Sequence, residues 1–585
     1  MKALSILLFT TLNICCVYSQ AKTWDVSVLY WSMKIEGQVA MRKGFEEEIG
    51  NFNKKSSDKI KITPYVAGEG RKGIVQQVSQ MGEVVQKKPH AIVIQPTDNS
   101  ALASGLLLAN KANIPVIAYD QYIVNGTLAS FLTSDNYQGG WDDGLHVESL
   151  FDRSYEIQIV VFEYPRVSST IDRVDGFFDA LRSRGQKFRV LKRYDAVDPE
   201  SGEKAAKKFL QDFPTKGSVD LILTVNDGGG ISIVKALWEK KRTEIRHATF
   251  DGAPESIQNI KEERLTVVNS AQYCAELGRE TARTLILALM NKSFPQKKMI
   301  PTFPVTKQNV KEYPGWMGRP TGNFAQRDNQ KLSSDLDRRP SSQKNKNILN
   351  IRIGVAPLCP YLCETGPGKW SGYIYDILTK VAKDRDFSFQ LESIPNTRLV
   401  SALQTGKVNY IIVPSYIVRY LSDIRVMGPK LGVSYTGALL FSADKESIID
   451  EESFRNKKVI FGDMAADPEL KVDLGYAVRG TKLTGADVSE RMIKMIGDGR
   501  ASLALGDYNV LRYSLMKDAN PSLRLTATSL TGFNSLVLVG TPKQPEFGYL
   551  PKNLDDWFRE ARIDGTLKKI LEKYNLQDWD IFTRG

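Results

Sequence analysis

From residue 25 to residue 252 the chain alternates short apolar runs with longer amphipathic stretches. The apolar runs are DVSVLYW (25–31), KITPYVA (61–67), HAIVIQP (90–96), IPVIAYD (114–120), IQIVVFEY (157–164), FRVLKRY (188–194), LILTVND (221–227) and HATFDG (247–252). Each is too short for a helix and nearly continuous in its apolar character, the pattern of strands covered on both faces. Between the second and third runs, IVQQVSQMGEVVQKK places Ile74, Val75, Val78, Met81, Val84 and Val85 on one helical stripe. Strand, helix and strand in regular succession predict an α/β fold of mostly parallel sheets flanked by helices.

Several of these runs end on a polar residue: Gln95, Asp120, Asn226 with Asp227, and Asp251. Open α/β sheets present ligands at the carboxyl ends of their strands, so this is where binding chemistry is expected. The alternative is that such residues cap helices or close Asx turns, and for Asp98 and Asp227 that reading stands level with the first.

Length adds the division of the chain. At 585 residues it exceeds a single core. A polar stretch lacking aliphatic residues other than Leu332 and Leu336 reads as a linker over 319–347. It separates a module at 22–318 from another at 348–585. The opening MKALSILLFTTLNICCVYSQ has a positively charged start and an apolar run too short to span a bilayer, so 1–21 reads as a secretory signal peptide. Lipoprotein anchoring through Cys15 and a retained membrane anchor are the alternatives. TARTLILALM (281–290) is bracketed by charges and reads as an amphipathic helix.

Composition narrows the chemistry. Three histidines and no paired-cysteine motif argue against a metal site, and no GxSxG or HExxH motif occurs. NDGGGIS (226–232) lacks the Lys-Ser/Thr of a phosphate loop and the spacing of a dinucleotide turn. Asp142 and Asp143 point to different helix faces and make poor acid/base partners. The net charge of +12 is scattered rather than interleaved with aromatics, so nucleic acid is not expected as a partner. A non-catalytic protein without cofactors fits best. Cys274 reads as a small buried apolar residue, whereas Cys359 and Cys363 could bridge a local CPYLC loop in an oxidising compartment.

The first module resembles the ribose/galactose-type, or type I, periplasmic binding proteins. The resemblance runs from about Asp25 to Val310 through IQPTDNSALASGLLLANKANIPVIAYDQ, SDNYQGG, DRVDGFFDAL, TVNDGGGISIVKAL and TFDGAP. It implies that Asp120, Asn226 and Asp251 accept hydrogen bonds from a sugar-like ligand and that Trp31 stacks on it. Gln121 stands where the ribose binders carry Arg, and Ile171 where they carry a second pocket Arg, while Arg173 is retained. Losing two guanidinium forks points away from a simple pentose. The autoinducer-2 receptor branch of the fold is a related possibility, with Tyr164, Arg166 and Ser168 as further polar contacts.

The second module resembles the amino-acid type of periplasmic binding protein, family 3 of the type II fold, from about Asn350 to Trp579. IRIGVAP, GKWSGYIYDILTKVAK, LVSALQTGKVNYIIVPS, KKVIFGD, GRASLALGD and RIDGTLKKILEKYN carry it. The resemblance implies that Arg419 holds a ligand carboxylate and Asp507 its ammonium, with Tyr361 and Trp370 lining the pocket. Tyr416 replaces the Thr or Ser usual three positions before the arginine.

The joint expectation is a tandem periplasmic solute-binding protein of two two-lobed modules. It would close on a sugar-like ligand and an amino-acid-like ligand, for delivery to the membrane permease of an ABC importer. The alternative is a ligand-sensing input to a membrane sensor kinase or cyclase.

Overall fold

The computed structural model describes residues 21–320 and 350–581, apart from 445, 447, 450–451, 455–456, 463–479, 486, 518–519, 529, 531–532 and 543–547. All but residue 21 of the signal peptide expected over 1–21, and all but residues 319 and 320 of the linker expected over 319–347, lie outside the described residues.

The first half contains strands β1 (Thr23–Tyr30), β2 (Lys59–Val66), β3 (Ala91–Ile94), β4 (Val116–Tyr119), β5 (Ser130–Ser134), β6 (Ile157–Glu163), β7 (Phe188–Asp195), β8 (Leu221–Thr224), β9 (Arg246–Asp251), β10 (Thr266–Ala271), β11 (Lys297–Ile300) and β12 (Phe303–Thr306). Its helices are α1 (Glu36–Lys55), α2 (Gly70–Lys87), α3 (Ala103–Lys111), α4 (Asn136–Glu148), α5 (Ser168–Arg184), α6 (Pro199–Asp212), α7 (Asp227–Glu239), α8 (Pro254–Lys261) and α9 (Cys274–Leu289). The predicted strands form where the apolar runs placed them, and TARTLILALM falls within α9. On α2 the buried stripe is Gln77, Met81 and Val84, whereas Val75 is exposed. The predicted stripe was therefore rotated: Gln77 is drawn inward because its amide bonds Gln95 and Thr97, which an apolar count does not register.

Two six-stranded sheets define two lobes, in spatial order β11-β5-β4-β3-β1-β2 and β12-β10-β9-β8-β6-β7. Every pairing in the first sheet is parallel; in the second only β12 runs antiparallel. The chain passes between lobes three times, after β5, after β10 and between β11 and β12. At these crossings Ser134 Oγ donates to Gln272 Oε1 at 2.6 Å.

Helices α4 and α5 pack closely because glycines face the partner backbone. A Cβ at Gly140 would lie 2.0 Å from the Arg173 carbonyl oxygen, and one at Gly176 would lie 2.1 Å from that of Tyr137. This close seating fixes the height of α5, and with it the position of Arg173.

In the second half one five-stranded sheet runs Ser388–Ser393, Asn350–Val355, Tyr410–Pro414, Asn534–Gly540 and Arg425–Ser434 in spatial order. Another runs Gly480–Lys482, Val459–Phe461, Leu503–Asp507, Thr436–Phe441 and Leu523–Ala527. Ser434 of the first sheet is followed by Thr436 of the second, and Ala527 of the second precedes Asn534 of the first, so the chain passes between them twice. Cys359 and Cys363 are paired, and Cys274 is buried without a disulfide partner among the described residues.

Candidate functional site

The β4 strand is buried throughout because helices cover both faces of its sheet, and the residue that follows its last position turns the chain into the space between lobes. That residue is Asp120, which adopts a left-handed φ of 66°. Asp251 does the same from the other lobe at the end of β9, with φ 99°. Aspartate tolerates this region better than most residues, so two acids can occupy sharp exits that would otherwise favour glycine. Both are partly buried, as are Trp31 and Asn226, so these strand ends are reached by solvent while the strands behind them are not.

Gln95, at the end of β3, donates to Asp120 Oδ2 at 3.0 Å; among the described residues only that oxygen is engaged. Gln95 also lies 3.5 Å from the Trp31 amide, so one side chain orients two of the predicted ligand residues. Burial pushes the Asp120 carboxyl up to about 6; Gln95 and Arg173 oppose the rise and Asp251 adds to it.

Arg173 reaches across its own lobe from α5. Its Nη1 is 3.0 Å from Asp251 Oδ1 and 2.7 Å from the Val225 carbonyl, and its Nε donates to Asn136 Oδ1 at 2.9 Å. Asp251 Oδ1 also accepts from Gln272 Nε2 at 2.6 Å. Arg173 thus works as a positioning residue for Asp251, consistent with its retention where neighbouring pocket arginines are lost.

Gln121 holds the lobes together. Its Nε2 donates to Ser169 Oγ at 2.9 Å, and beside it Asn99 Nδ2 donates to Ser168 Oγ at 3.0 Å. Both bonds run from the first lobe to the start of α5 in the second, so the arrangement is closed. Ser168, named above as a further polar contact, spends its hydroxyl on the Asn99 amide. Arg166 turns instead toward Asp195 at 3.9 Å and lies over the Tyr164 ring.

Asn226 differs from expectation. Its Oδ1 accepts from the Gly229 amide at 3.2 Å as the N-cap of α7, and its Nδ2 donates to the Val197 carbonyl at 2.8 Å. Both ends of the amide are engaged within one lobe, so it shapes the strand end rather than offering free hydrogen-bonding groups. Asp227 is buried, accepting from Asn269, Thr249 and the Ala253 amide. Asp98 closes a turn onto the amides of Ser100 and Ala101, both at 2.7 Å.

The second candidate set is arranged differently. Arg419 does not line an open cleft: its side chain is 2% exposed, and its Nε donates to Asp175 Oδ1 of α5 at 2.5 Å. Its Nη2 also meets Ser415 Oγ at 3.3 Å and Asn534 Oδ1 at 3.1 Å. Asp423, its other conceivable partner, accepts from Gln404 instead. The physical reason is complementarity: a buried guanidinium takes the nearest carboxylate, and the first half supplies one.

Asp507 is likewise occupied. It accepts from Tyr361 Oη at 2.9 and 3.0 Å, from Ser434 Oγ at 2.5 Å and from the Val510 amide at 3.0 Å. Burial pushes its carboxyl up to about 6, against these stabilising donors. It serves as a cap for the helix Tyr508–Lys517 rather than as a free ammonium acceptor. Tyr361 is buried as a donor to Asp507, and half-buried Trp370 sits on a two-stranded hairpin. The arginine and acid expected to grip a zwitterion are both taken by protein groups.

Residues missed by sequence reasoning are Gln95 as an orienting group, and Asn99 and Ser169 as bonds across the cleft. Gln95 carried a signal, since it ends a strand beside Asp120; Asn99 and Ser169 carried none.

Residues 26–293 match the periplasmic binding protein domain family. This segment is a type I periplasmic binding protein module. The module is similar to the Ribose import binding protein RbsB of Bacillus subtilis (strain 168), 24% identical over 251 residues that cover 42% of this chain and 77% of that protein. The Escherichia coli (strain K12) protein of the same name is 24% identical over 255 residues, 43% of this chain and 83% of its own. Among solved structures, an ABC transporter solute binding protein from Bacillus halodurans C-125 with bound myo-inositol has 21% identity and a TM-score of 0.45, over 50% of this chain and 98% of that one. Among the described residues no helix is long and apolar enough to cross a membrane.

Proposed function

We propose that the chain is a periplasmic solute-binding protein whose first module closes on a small polyhydroxylated ligand for delivery to an ABC importer, without catalysis. The carrying observation is the pair of strand-end carboxylates, Asp120 and Asp251, presented from opposite lobes by left-handed exits. The relatives named as ribose import binding proteins support the same ligand class. In this reading Asp120 accepts ligand hydroxyls, Trp31 covers an apolar ring face and Arg173 holds Asp251 in register. Gln121 offers one amide where ribose binders offer a guanidinium, so the preferred ligand differs from ribose.

Residues 348–585 are proposed as a second unit of the type II kind, after a linker over 319–347. Two five-stranded sheets joined by two chain crossings support that assignment. Its occupied Arg419 and Asp507 do not favour an amino-acid ligand in this arrangement.

Thermal denaturation of the full chain against a panel of polyols and sugars tests the proposal. A true ligand at 100 times its Kd stabilises by about 2.7 kcal/mol. Asp120→Ala should abolish that shift; a shift of the same size in the variant would sink the assignment.

A further inference from the structure

The second half touches both lobes of the first module. On the first lobe, the Tyr435 hydroxyl donates to Asn125 Oδ1 at 2.6 Å, and the Phe533 ring packs on Tyr122 at 6.0 Å between centroids. Lys297 Nζ donates to the Asp580 carbonyl at 2.8 Å, and Arg71 lies 3.2 Å from Glu452. Tyr122 directly follows Gln121, so this contact begins one residue beyond the bond that closes the cleft.

On the other lobe the contact is α5. Asp172, Asp175, Asp179 and Arg182 recur at helical spacing and form one face. Asp175 takes Arg419, Asp172 lies 3.4 Å from Lys430, and Arg182 Nη1 donates to the carbonyls of Arg419 at 2.7 Å and Leu421 at 3.0 Å. Tyr420 is inserted beside this face. Its ring meets Phe178 edge-on at 5.3 Å and lies under the Arg193 guanidinium, and its hydroxyl donates to Glu163 Oε2 at 2.6 Å. The start of the same helix supplies Ser168 and Ser169, which bond the opposite lobe across the cleft.

We infer that the second half is a clamp: by gripping the segment 122–125 of one lobe and α5 of the other, it holds the binding module closed. The lobes cannot swing apart about their three crossings while both grips persist. Ligand entry therefore requires release of at least one grip. By linkage, any partner that competes for the second half's gripping surface promotes opening, and opening promotes that partner's binding. The inference concerns the closed arrangement itself and stands whether or not the ligand is a sugar.

The test needs no ligand. Spin labels on K111C in the first lobe and K207C in the second, both exposed positions, report the distance between lobes by pulsed dipolar spectroscopy on the full chain. The labelled parent should show one closed distance. Asp175→Asn, cutting the α5 grip, should add a second, longer population. Tyr435→Phe with Phe533→Ala, Lys297→Met and Arg71→Ala, cutting all the contacts named on the first lobe, should add the same longer population, because either release frees the same hinge. Tyr420→Phe with Lys430→Met provides a milder cut of the α5 grip should Asp175→Asn fold poorly. An unchanged distribution in the folded variants would overturn the clamp, as would opening that follows only one of the two cuts.

Discussion

The two halves present the same kind of residue in opposite conditions. In the first, Asp120 ends a buried strand beside an opening, with one engaged oxygen among the described residues. In the second, Asp507 also ends a buried strand, but a tyrosine, a serine and a backbone amide already donate to it. Arg173 and Arg419 make the matching contrast: the former braces an acid of its own lobe, the latter binds an acid from the other half. What separates a binding site from a packed interior is thus the supply of partners. A carboxylate at a strand end is a site only where the protein withholds enough donors.

The sharpest break of this comparison is Arg419→Ala. It strands Asp175 and removes the charge that compensates it, so unfolding in denaturant should show a loss of about 3–5 kcal/mol. A ligand residue of an open site would be removable at little cost, and a change under about 1 kcal/mol would restore the amino-acid reading.

Next comes Asp120→Ala, which should erase the ligand-dependent stabilisation of about 2.7 kcal/mol while leaving the unliganded melting point unchanged or raised. A substantial fall in the unliganded protein would mean that Asp120 holds the fold as Asp507 does.

Tyr361→Phe should cost about 1–2 kcal/mol, since Asp507 loses one buried donor but keeps Ser434 and the Val510 amide. A neutral result would show that Asp507 has donors to spare.

The smallest effect is a pH dependence. With the folded-state value of Asp120 raised to about 6, the folded protein holds more protons than the unfolded chain between roughly pH 4 and 6. Its contribution to stability therefore falls as pH rises through that window. Hydroxyl donors prefer the carboxylate, so polyol affinity should rise as the folded carboxyl ionises, by up to about tenfold between pH 5 and 7. Calorimetric titration at the two values checks it; equal affinities would remove Asp120 from direct contact.

Much of the first module was legible in the sequence. Strands β1, β3, β4, β6, β8 and β9 lie inside their sheets, and burial on both faces leaves apolar runs too continuous to miss. Strands β5 (SFLTS), β10 (TVVNSA), β11 (KKMI) and β12 (FPVT) escaped because they lead to or from the crossings or lie at sheet edges. There polar side chains such as Ser134 and Ser270 are spent on bonds to other segments. Asp120 could be read as a site residue because its strand-end position and chemistry are local. Arg419 could not be read correctly, since its partner lies 244 positions away and nothing near either residue announces the pairing. The α5 acids recur at helical spacing, but which surface they face depends on how two halves dock.

The left-handed exits at Asp120 and Asp251 carry a consequence for how this protein can change. Position 120 would be more comfortable as glycine, which adopts that backbone freely and buries no charge, whereas Asp251 is held in place by its ion pair with the buried Arg173. Mutational drift toward greater stability therefore runs directly through the loss of the site. An Asp120→Gly variant should be a sturdier protein that has forgotten its ligand, and the aspartate at that exit would then record selection acting against the fold's own preference.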